Sequence, residues 1–375
     1  MTDSVGIYIH IPFCLKKCLY CDFCSLGGTA SREREAYVEA LLCEIASSPY
    51  PPLSVDTVFF GGGTPSLLGV EALLRILDAV KRRFCVAENA EISVEVNPAT
   101  VDEEGLVRLR EGGFNRLSVG VQSLCDEELR ALGRAHSARD AVSVLQSAAK
   151  AGFDSLNADV MFGIPGQTVD SLRKTIEGLL GLGVTHLSAY SLIIEEGTPF
   201  YEMRSTLCLP DEDTECEMAH LAQEMLREAG FLHYEISNYA RPGHECKHNL
   251  KYWRCDPYIG FGAAAHSYYA GERFGNTADV SAYACAPTSS VAFRERVTKT
   301  EGEYEYLILG LRMGSGISEE EFYLRFHVSF WEKYGKAVNK YLQSGHMIRA
   351  NGRVFFTEEG MRVSNSILVD LTAEV

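Results

Sequence analysis

Long apolar runs are missing from this 375-residue sequence, and so is an excess of basic side chains. No window offers the roughly 18 uncharged apolar residues that a membrane span needs. The amino terminus also lacks a basic segment followed by an apolar run and a small-residue cleavage site. We therefore expect a cytoplasmic protein without a membrane span, whose contact with any membrane would be transient and through a partner. The net charge of −16 argues against nucleic-acid binding, because phosphate contacts need basic surface.

The composition, with 46% hydrophobic and 23% charged residues, is that of an ordinary globular protein. A chain of this length suits one large α/β domain with a smaller appendage. The sequence pattern changes near residue 235 and again near residue 298. We therefore expect three parts, at 1–235, 236–297 and 298–375.

Six short β-rich runs alternate with amphipathic helical segments in the first part. The runs are 5–11, 56–60, 91–96, 116–121, 155–162 and 186–194, and the helical segments are 31–46, 70–84, 138–152 and 169–183. This alternation predicts a parallel sheet with right-handed crossovers. An open doubly wound sheet and a partial TIM-like barrel both satisfy it, and in either fold ligands gather at the carboxyl ends of the strands.

The second part is interpreted as rich in loops, and the third as a small helical domain with a hairpin. Helical patterns lie at 303–313, 318–326 and 329–345, and the pair Asn351-Gly352 predicts a two-residue hairpin turn. Helices followed by a hairpin resemble a winged helix. Nine Lys plus Arg stand against eleven Asp plus Glu between 298 and 375, a net charge of −2. Packing or a protein contact is therefore favoured over DNA binding.

Cysteine is plentiful, and four of the twelve cysteines fall within eleven positions behind the first predicted strand. In a reducing compartment, such a group is more typical of a metal or redox site than of disulfides. Cys14, Cys18 and Cys21 form a Cys-x3-Cys-x2-Cys pattern, and Cys24 follows. Three thiolates on one loop suit a [4Fe-4S] cluster that keeps one iron free for another ligand. A zinc loop and buried, unreactive thiols are the alternatives.

This cysteine spacing, with the aromatic Tyr20 before the third cysteine, resembles the radical S-adenosylmethionine (SAM) superfamily. The segment GGGTP at 61–65 follows the second strand, where glycines let a ligand approach the backbone. Successive motifs over nearly the whole chain resemble the oxygen-independent coproporphyrinogen III oxidase-like family: YIHIPFC, FFGGGTPS, EVNP, GFNRLSVGVQS, LGRAHS, NADVMFGIPGQT and YSLIIEEGTPFY. The resemblance implies an α/β fold with a partial TIM-like (β/α)6 barrel and a smaller C-terminal α+β, winged-helix-like domain.

The same resemblance implies the site residues. Cys14, Cys18 and Cys21 correspond to the ligands of the [4Fe-4S] cluster, whose free iron binds SAM in this superfamily. The positions that correspond to SAM contacts are Tyr8, Tyr20, Gly62, Gly63, Thr64, Glu95, Gln122, Arg134 and Asp159. Their chemistry is suitable, because carboxylates accept from ribose hydroxyls or an ammonium group and arginine pairs with a carboxylate.

Two subgroups of this family differ in function. The oxidase, which decarboxylates coproporphyrinogen III to protoporphyrinogen IX, carries a cysteine where this chain has Phe23. The Cys-x3-Cys-x2-Cys-x-Phe form is similar to that of the HemW-type heme chaperones. Their His-Asn-x-x-Tyr-Trp motif is similar to HNLKYW at 248–253, which implies heme ligation by His248. His244 and Cys246 are neighbouring candidates for the same role. The alternative to heme binding is a loop in which Tyr252 and Trp253 only fill the junction between domains.

We therefore expect a radical-SAM-type heme chaperone that binds the cluster, SAM and heme and delivers heme to a hemoprotein. The resemblance also implies an electron donor, which the motifs do not identify. The alternatives are the coproporphyrinogen oxidase itself and a radical enzyme that modifies heme. Whether SAM is cleaved, and by which residues, stays open at this point.

Overall fold

The computed structural model describes residues 4–373. Within them the strands are β1 (Ser4–Ile11), β2 (Phe13–Cys14), β3 (Leu26–Gly27), β4 (Ser54–Gly62), β5 (Cys85–Val96), β6 (Arg116–Gln122), β7 (Ser155–Phe162), β8 (His186–Ser191), β9 (Leu232–Glu235), β10 (Asn238–Ala240), β11 (Tyr258–Phe261), β12 (His266–Tyr269), β13 (Glu272–Asn276), β14 (Val291–Arg296), β15 (Ile317–Ser318), β16 (Met347–Ala350) and β17 (Arg353–Phe356). The six predicted strands are confirmed as β1 and β4 to β8, the last ending three residues earlier than predicted.

The helices in this range include the predicted ones, whose ends agree within four residues. They are α1 (Ser31–Ala46), α2 (Val70–Arg83), α3 (Glu103–Glu111), α4 (Asp126–Ala131), α5 (Ala138–Ala151), α6 (Val169–Gly181), α7 (Pro199–Met203), α8 (Glu212–Glu228), α9 (Lys247–Trp253), α10 (Val280–Cys285), α11 (Lys299–Leu311), α12 (Glu319–Phe326), α13 (Phe330–Gln343), α14 (Glu358–Arg362) and α15 (Ser364–Ala373). Between residues 4 and 373, none of them combines the length and the apolar character that crossing a membrane requires.

The order of the strands decides between the two folds that the periodicity allowed. One twelve-stranded sheet runs β14-β13-β12-β11-β1-β4-β5-β6-β7-β8-β10-β9, and β1 and β4 to β8 are parallel neighbours in chain order. A doubly wound sheet reverses its order at a switch point, whereas here each new strand joins the same side. The sheet is therefore a partial barrel, left open because β9 and β14 form its two edges.

Side chains of the central strands alternate between two environments. On β1, Ile7, Ile9 and Ile11 are fully buried in the apolar core that the surrounding helices cover. The intervening Tyr8 and His10 face the barrel interior, where their hydrogen-bonding groups find polar partners. Because alternate strand residues point to opposite faces, the same six strands supply both a helix-covered core and a polar interior.

The connecting segment is more regular than the predicted loop-rich stretch. Strands β10 to β14 and helices α9 and α10 lie in it, and the strands extend both edges of the barrel sheet. The sequence did not reveal them, since strands of three to six residues are too short for a readable period. Strands β11 to β14 pair antiparallel with one another in chain order, while β11 also pairs with the distant β1 and β10 with β8.

The tail has an apolar core of its own, built from residues between Tyr306 and Leu371. Its three-stranded sheet has the order β15-β17-β16 beside helices α11 to α15. The hairpin prediction is confirmed, because Asn351 and Gly352 join β16 to β17 with φ of 53° and 69°. Two successive positive φ values are what a type I′ turn requires. The boundaries at 235 and 297 stay predictions.

Candidate functional site: a cysteine-lined cavity at the carboxyl ends of the barrel strands

The three cysteines of the predicted cluster site belong to the connection from β1 towards α1. Cys14 ends β2, while Cys18 and Cys21 lie on the loop between β2 and β3. The backbone of Leu19 fastens this loop to the barrel, since its N–H donates to the Leu132 carbonyl at 3.1 Å and its carbonyl accepts from the Phe200 N–H at 3.0 Å. The thiols are therefore held on a loop that is tied to two distant segments.

The GGGTP segment lies directly against this cysteine loop. The N–H of Gly63 donates to the Ile11 carbonyl at 2.8 Å, and the N–H of Thr64 donates to the Phe13 carbonyl at 2.7 Å. A Cβ atom on Gly63 would stand only 2.7 Å from the Phe13 carbonyl oxygen, so any larger residue would push the two backbones apart. The Thr64 hydroxyl lies 3.6 Å from the Cys14 sulfur.

A cavity of about 440 Å³ opens at the carboxyl ends of the barrel strands, where the parallel arrangement predicts a ligand site. Of the thirteen predicted site residues, eleven line it: Cys14, Cys18, Cys21, Tyr20, Gly62, Gly63, Thr64, Glu95, Gln122, Arg134 and Asp159. Across residues 4–373, no three His, Cys, Asp or Glu side chains converge closely enough to hold one metal ion. The three thiols therefore share the cavity without forming a single-ion site.

Two carboxyl groups form the acidic wall of the cavity. Burial, together with the neighbouring charge of Asp159, raises the pKa of Glu95 to about 8, although the Gly62 N–H donates to the Glu95 Oε2 atom at 3.2 Å. Burial also raises the pKa of Asp159, which accepts from the Asn157 amide at 2.8 Å. Carboxylates placed this way would gain from a cationic or hydroxyl-bearing ligand, because such a ligand offsets the cost of burying their charge.

Arg134 places a positive charge beside the cysteine loop. Its Nη1 atom donates to the Cys18 sulfur at 3.4 Å, and its Nη2 atom donates to the Gly120 carbonyl at 2.7 Å. The guanidinium thus offers the sulfur a hydrogen bond and places a positive charge beside it. The ring of Tyr20, within 6.5 Å of the Phe200 ring, anchors the loop in an apolar cluster on the same side.

Gln122 adopts a backbone conformation that a residue with a side chain rarely takes. Its φ of 67° accompanies a shift in register between β6 and β7. The Gln122 Oε1 atom accepts from the Tyr190 hydroxyl at 2.8 Å, which directs the amide into the cavity. Backbone strain of this kind is typical of functional positions, where surrounding contacts hold it.

Sequence reasoning missed several residues that line the cavity. They are Lys16, Asp22, Phe23, Val96, Asn97, Ser118, Gly120, Met161, Tyr190, Ser191, Ile193 and Glu195. Five of them lie on or directly after β5, β6 and β7, four lie at or after the end of β8, and the other three lie on the cysteine loop. A position near the end of a strand or next to a cysteine was therefore the available signal. Phe23 and Ile193 are 71% and 67% exposed, which leaves apolar surface at the cavity.

The remaining two predicted residues, Tyr8 and His248, do not line this cavity. His248 lies on α9, which closes the amino-terminal end of the barrel, and its side chain is fully buried. Its Nδ1 atom is 2.8 Å from the Thr57 hydroxyl, and its Nε2 atom is 2.9 Å from the Tyr252 hydroxyl. Burial lowers the pKa of His248 to about 3, so the ring is neutral.

Two neighbours of His248 in the sequence are also engaged. The Cys246 thiol contacts the Glu91 carboxylate at 3.6 Å, and burial raises the pKa of Cys246 to about 12. The Nδ1 atom of His244 is 3.0 Å from the Ser155 hydroxyl. His244, Cys246 and His248 thus contact the amino-terminal parts of the barrel strands, at the opposite end from the cysteine loop. We call this end the floor of the barrel.

The donor set of the cavity fits an iron–sulfur cluster with a bound SAM. Three thiols, the Arg134 guanidinium, the buried carboxyls of Glu95 and Asp159 and a glycine-rich backbone edge surround one space. There is no room for a Cβ atom at Gly63, because the backbone of this segment packs directly against the backbone of the cysteine loop.

Comparison with known proteins agrees with this description. Residues 8–179 match the model of the radical SAM superfamily, and residues 297–363 match that of the HemN C-terminal domain. The solved structure of coproporphyrinogen III oxidase (HemN) from Escherichia coli superposes with a TM-score of 0.87, covering 99% of this chain and 91% of the other at 22% identity. At that identity the likeness concerns the fold. Fold and site together define a radical SAM protein.

Sequence relatives narrow this class further. The heme chaperone HemW of Lactococcus lactis is 34% identical over 96% of this chain and 95% of its own length. The heme chaperone HemW of Synechocystis is 40% identical over 83% of this chain and 78% of its own length. The chain therefore belongs to the HemW family of the radical SAM superfamily.

Proposed function

We propose that this protein is a radical-SAM-type heme chaperone of the cytoplasm, which binds a [4Fe-4S] cluster, SAM and heme and passes heme to a hemoprotein. One observation carries the proposal: three thiols of the superfamily spacing line one cavity with eight of the positions that correspond to SAM contacts, in a chain of the HemW family.

Each part of the cavity has a role in this proposal. Cys14, Cys18 and Cys21 hold the cluster, and Arg134 donates a hydrogen bond to the Cys18 sulfur. Glu95 and Asp159 offer oxygens to the ammonium or ribose hydroxyls of SAM. A cluster held by these three thiols would supply the reducing electron that the chemistry of bound SAM requires. A ligand that binds only the folded chain stabilises it, so bound SAM would support the chaperone whether or not it is cleaved.

Heme ligation by His248 requires a change at the barrel floor. Both ring nitrogens already have hydroxyl partners, and the ring stacks on Phe59 at 5.3 Å between centroids. For His248 to reach heme iron, α9 must move away from Thr57 and expose the ring. Its neutral state is the form that ligates iron. We therefore propose that His248 ligates heme in a second, open position of α9.

The oxidase alternative has less support in this chain. Phe23 occupies the position of the additional cysteine that the resemblance assigns to the oxidase, and it is exposed beside the cavity. Formation of protoporphyrinogen by reconstituted protein with coproporphyrinogen III, SAM and a reductant would revive that alternative and contradict the chaperone assignment.

An anaerobic heme titration tests the proposal. The cluster-loaded protein, His248→Ala and the control His220→Ala, which removes an exposed histidine from α8, are titrated with heme, passed through gel filtration and compared by Soret absorbance. We expect the parent and the control to retain heme and His248→Ala to lose it. Transfer of the retained heme to an apo-hemoprotein then tests delivery. Heme retention by His248→Ala equal to that of the parent would contradict ligation by His248.

A further inference from the structure

His10 is a buried, fully hydrogen-bonded side chain that the proposed function leaves without a role. It lies on β1, four residues before Cys14, and is 8% exposed. Its Nδ1 atom is 3.0 Å from the Tyr8 hydroxyl, and its Nε2 atom is 3.2 Å from the backbone carbonyl oxygen of Cys24. The ring thus joins the first barrel strand to the far arm of the cysteine loop.

The partners of His10 determine where its proton lies. A backbone carbonyl can only accept, so the Nε2 atom must carry the proton that it donates to Cys24. Burial lowers the pKa of His10, which keeps the ring neutral, and the unprotonated Nδ1 atom then accepts from the Tyr8 hydroxyl. The hydroxyl proton of Tyr8 is therefore engaged by His10.

Two glycines hold His10 in this position. A Cβ atom on Gly62 would come within 2.6 Å of the His10 Cε1 atom, so the ring lies directly against that backbone. A Cβ atom on Gly262 would come within 2.6 Å of the His10 carbonyl oxygen, which also accepts from the Tyr37 hydroxyl at 2.8 Å. The first glycine of this pair belongs to GGGTP, so part of that motif serves to cover the His10 ring.

We propose that His10 is a positioning residue that fixes the arm of the cysteine loop after Cys21, with Tyr8 donating to its Nδ1 atom and Gly62 closing over its ring. Cys24 lies three residues beyond Cys21. The Cys24 carbonyl accepts from His10, a side chain of the barrel interior. Leu26 and Gly28 are instead held by backbone hydrogen bonds to Pro12 and Cys14. The proposal deepens the proposed function because it names what orients the third predicted cluster ligand.

Two substitutions of His10 separate its two hydrogen bonds. In His10→Asn the amide oxygen reaches the place of Nδ1 and can accept from Tyr8, but no donor reaches Cys24. In His10→Gln the longer side chain brings an N–H to the place of Nε2, where it can donate to the Cys24 carbonyl. The pair is matched in polarity and in amide chemistry, so a general loss of core packing would affect both.

The first measurement is amide hydrogen exchange of the segment 15–28 in the cofactor-free chain, which does not depend on cluster binding. We expect exchange about tenfold faster in His10→Asn and close to the parent in His10→Gln, as for the loss of one hydrogen bond from a local opening equilibrium. The second is the rate of iron loss to a chelator from the cluster-loaded protein, expected to follow the same order. If neither the parent nor the variants bind iron, the proposed function fails. The hydrogen-exchange result still tests the His10 proposal in that case.

Three results would overturn the role of His10. They are parent-like exchange in His10→Asn, equally fast exchange in both variants, and a His10→Gln chain that does not fold. Should His10→Asn not fold, His10→Leu takes its place, because its apolar side chain fills similar space and offers the Cys24 carbonyl no donor. We then expect faster exchange in the 15–28 segment, and unchanged exchange would contradict the proposal.

Discussion

Glu95 is the cavity residue whose protonation changes near neutral pH. Its folded-state pKa of about 8 lies above the ordinary value of 4.5, because burial and the charge of Asp159 oppose ionisation. Between these two values the unfolded chain has released the proton while the folded chain retains it. The free energy of unfolding of the cofactor-free protein therefore falls as pH rises through this window, by at most about 1.4 kcal/mol per pH unit from this group.

Glu95→Gln should remove that dependence. We expect the variant and the parent to be similar in stability near pH 4.5 and the variant to be the more stable near pH 8. Urea unfolding at both pH values measures the difference, with Glu177→Gln, an exposed carboxyl on α6, as the control. A stability difference that does not change with pH would show that Glu95 ionises normally.

Single residues also mark how far the sequence could define the site. The sequence predicted that the three cysteines and eight of the proposed contact positions lie together, because their motifs follow strands whose carboxyl ends must meet. Tyr190 could not, since tyrosine within a strand carries no distinctive signal, yet its hydroxyl orients Gln122. The sequence did not predict that Tyr8 and His248 lie outside the cavity. A motif indicates what a side chain can bind, but not how far along the barrel axis it lies.

At the scale of elements, periodicity identified the long helices and the six central strands but not their arrangement. The barrel and the doubly wound sheet share the same local pattern, and only the pairing of each strand with its neighbours separates them. Long-range pairing was therefore the information missing for the barrel. The short strands β10 to β14 were missed for a different reason, since strands of three to six residues are too short to show a period even where they pair with the next strand in sequence.

Helix α9 is the element on which the heme proposal depends, and Glu91 fastens it. The Glu91 carboxylate accepts from the N–H groups of Lys247 at 3.0 Å and His248 at 3.1 Å, at the start of the helix. Glu91→Ala should cost about 1–3 kcal/mol, because it leaves these buried donors without an acceptor. If heme needs the open position of α9, the same change should tighten heme binding, since the competent state becomes more populated.

The heme titration of Glu91→Ala measures this effect. Asp102→Ala is a matched control, because Asp102 caps α3 through the Gly105 N–H at 2.8 Å, away from the barrel floor. We expect both variants to lose stability and only Glu91→Ala to bind heme more tightly. The double variant with His248→Ala should lose the gain. A gain that survives in the double variant would place heme away from His248.

At the scale of the whole molecule, Arg325 of the tail connects the second apolar core to the barrel. Its Nη2 atom donates to Asp256 at 3.0 Å, and its Nη1 atom donates to the Arg254 carbonyl at 2.7 Å. Both partners lie in the segment that directly follows α9. The two charged side chains are only 14% and 10% exposed. Burial raises the pKa of Asp256 even though Arg325 opposes the shift, so the carboxylate depends on this partner.

Arg325→Met should therefore destabilise the protein by about 3–5 kcal/mol, because it leaves a buried carboxylate unpaired. Adding Asp256→Asn should recover most of that loss, since the charge is then gone. Arg349→Met, which breaks the more exposed pair with Glu319, should cost about 1 kcal/mol or less. Thermal unfolding of the four chains measures these differences. Equal loss in the single and double variants would mean that Arg325 acts through apolar packing, and the tail would then be joined to α9 without an ionic contact.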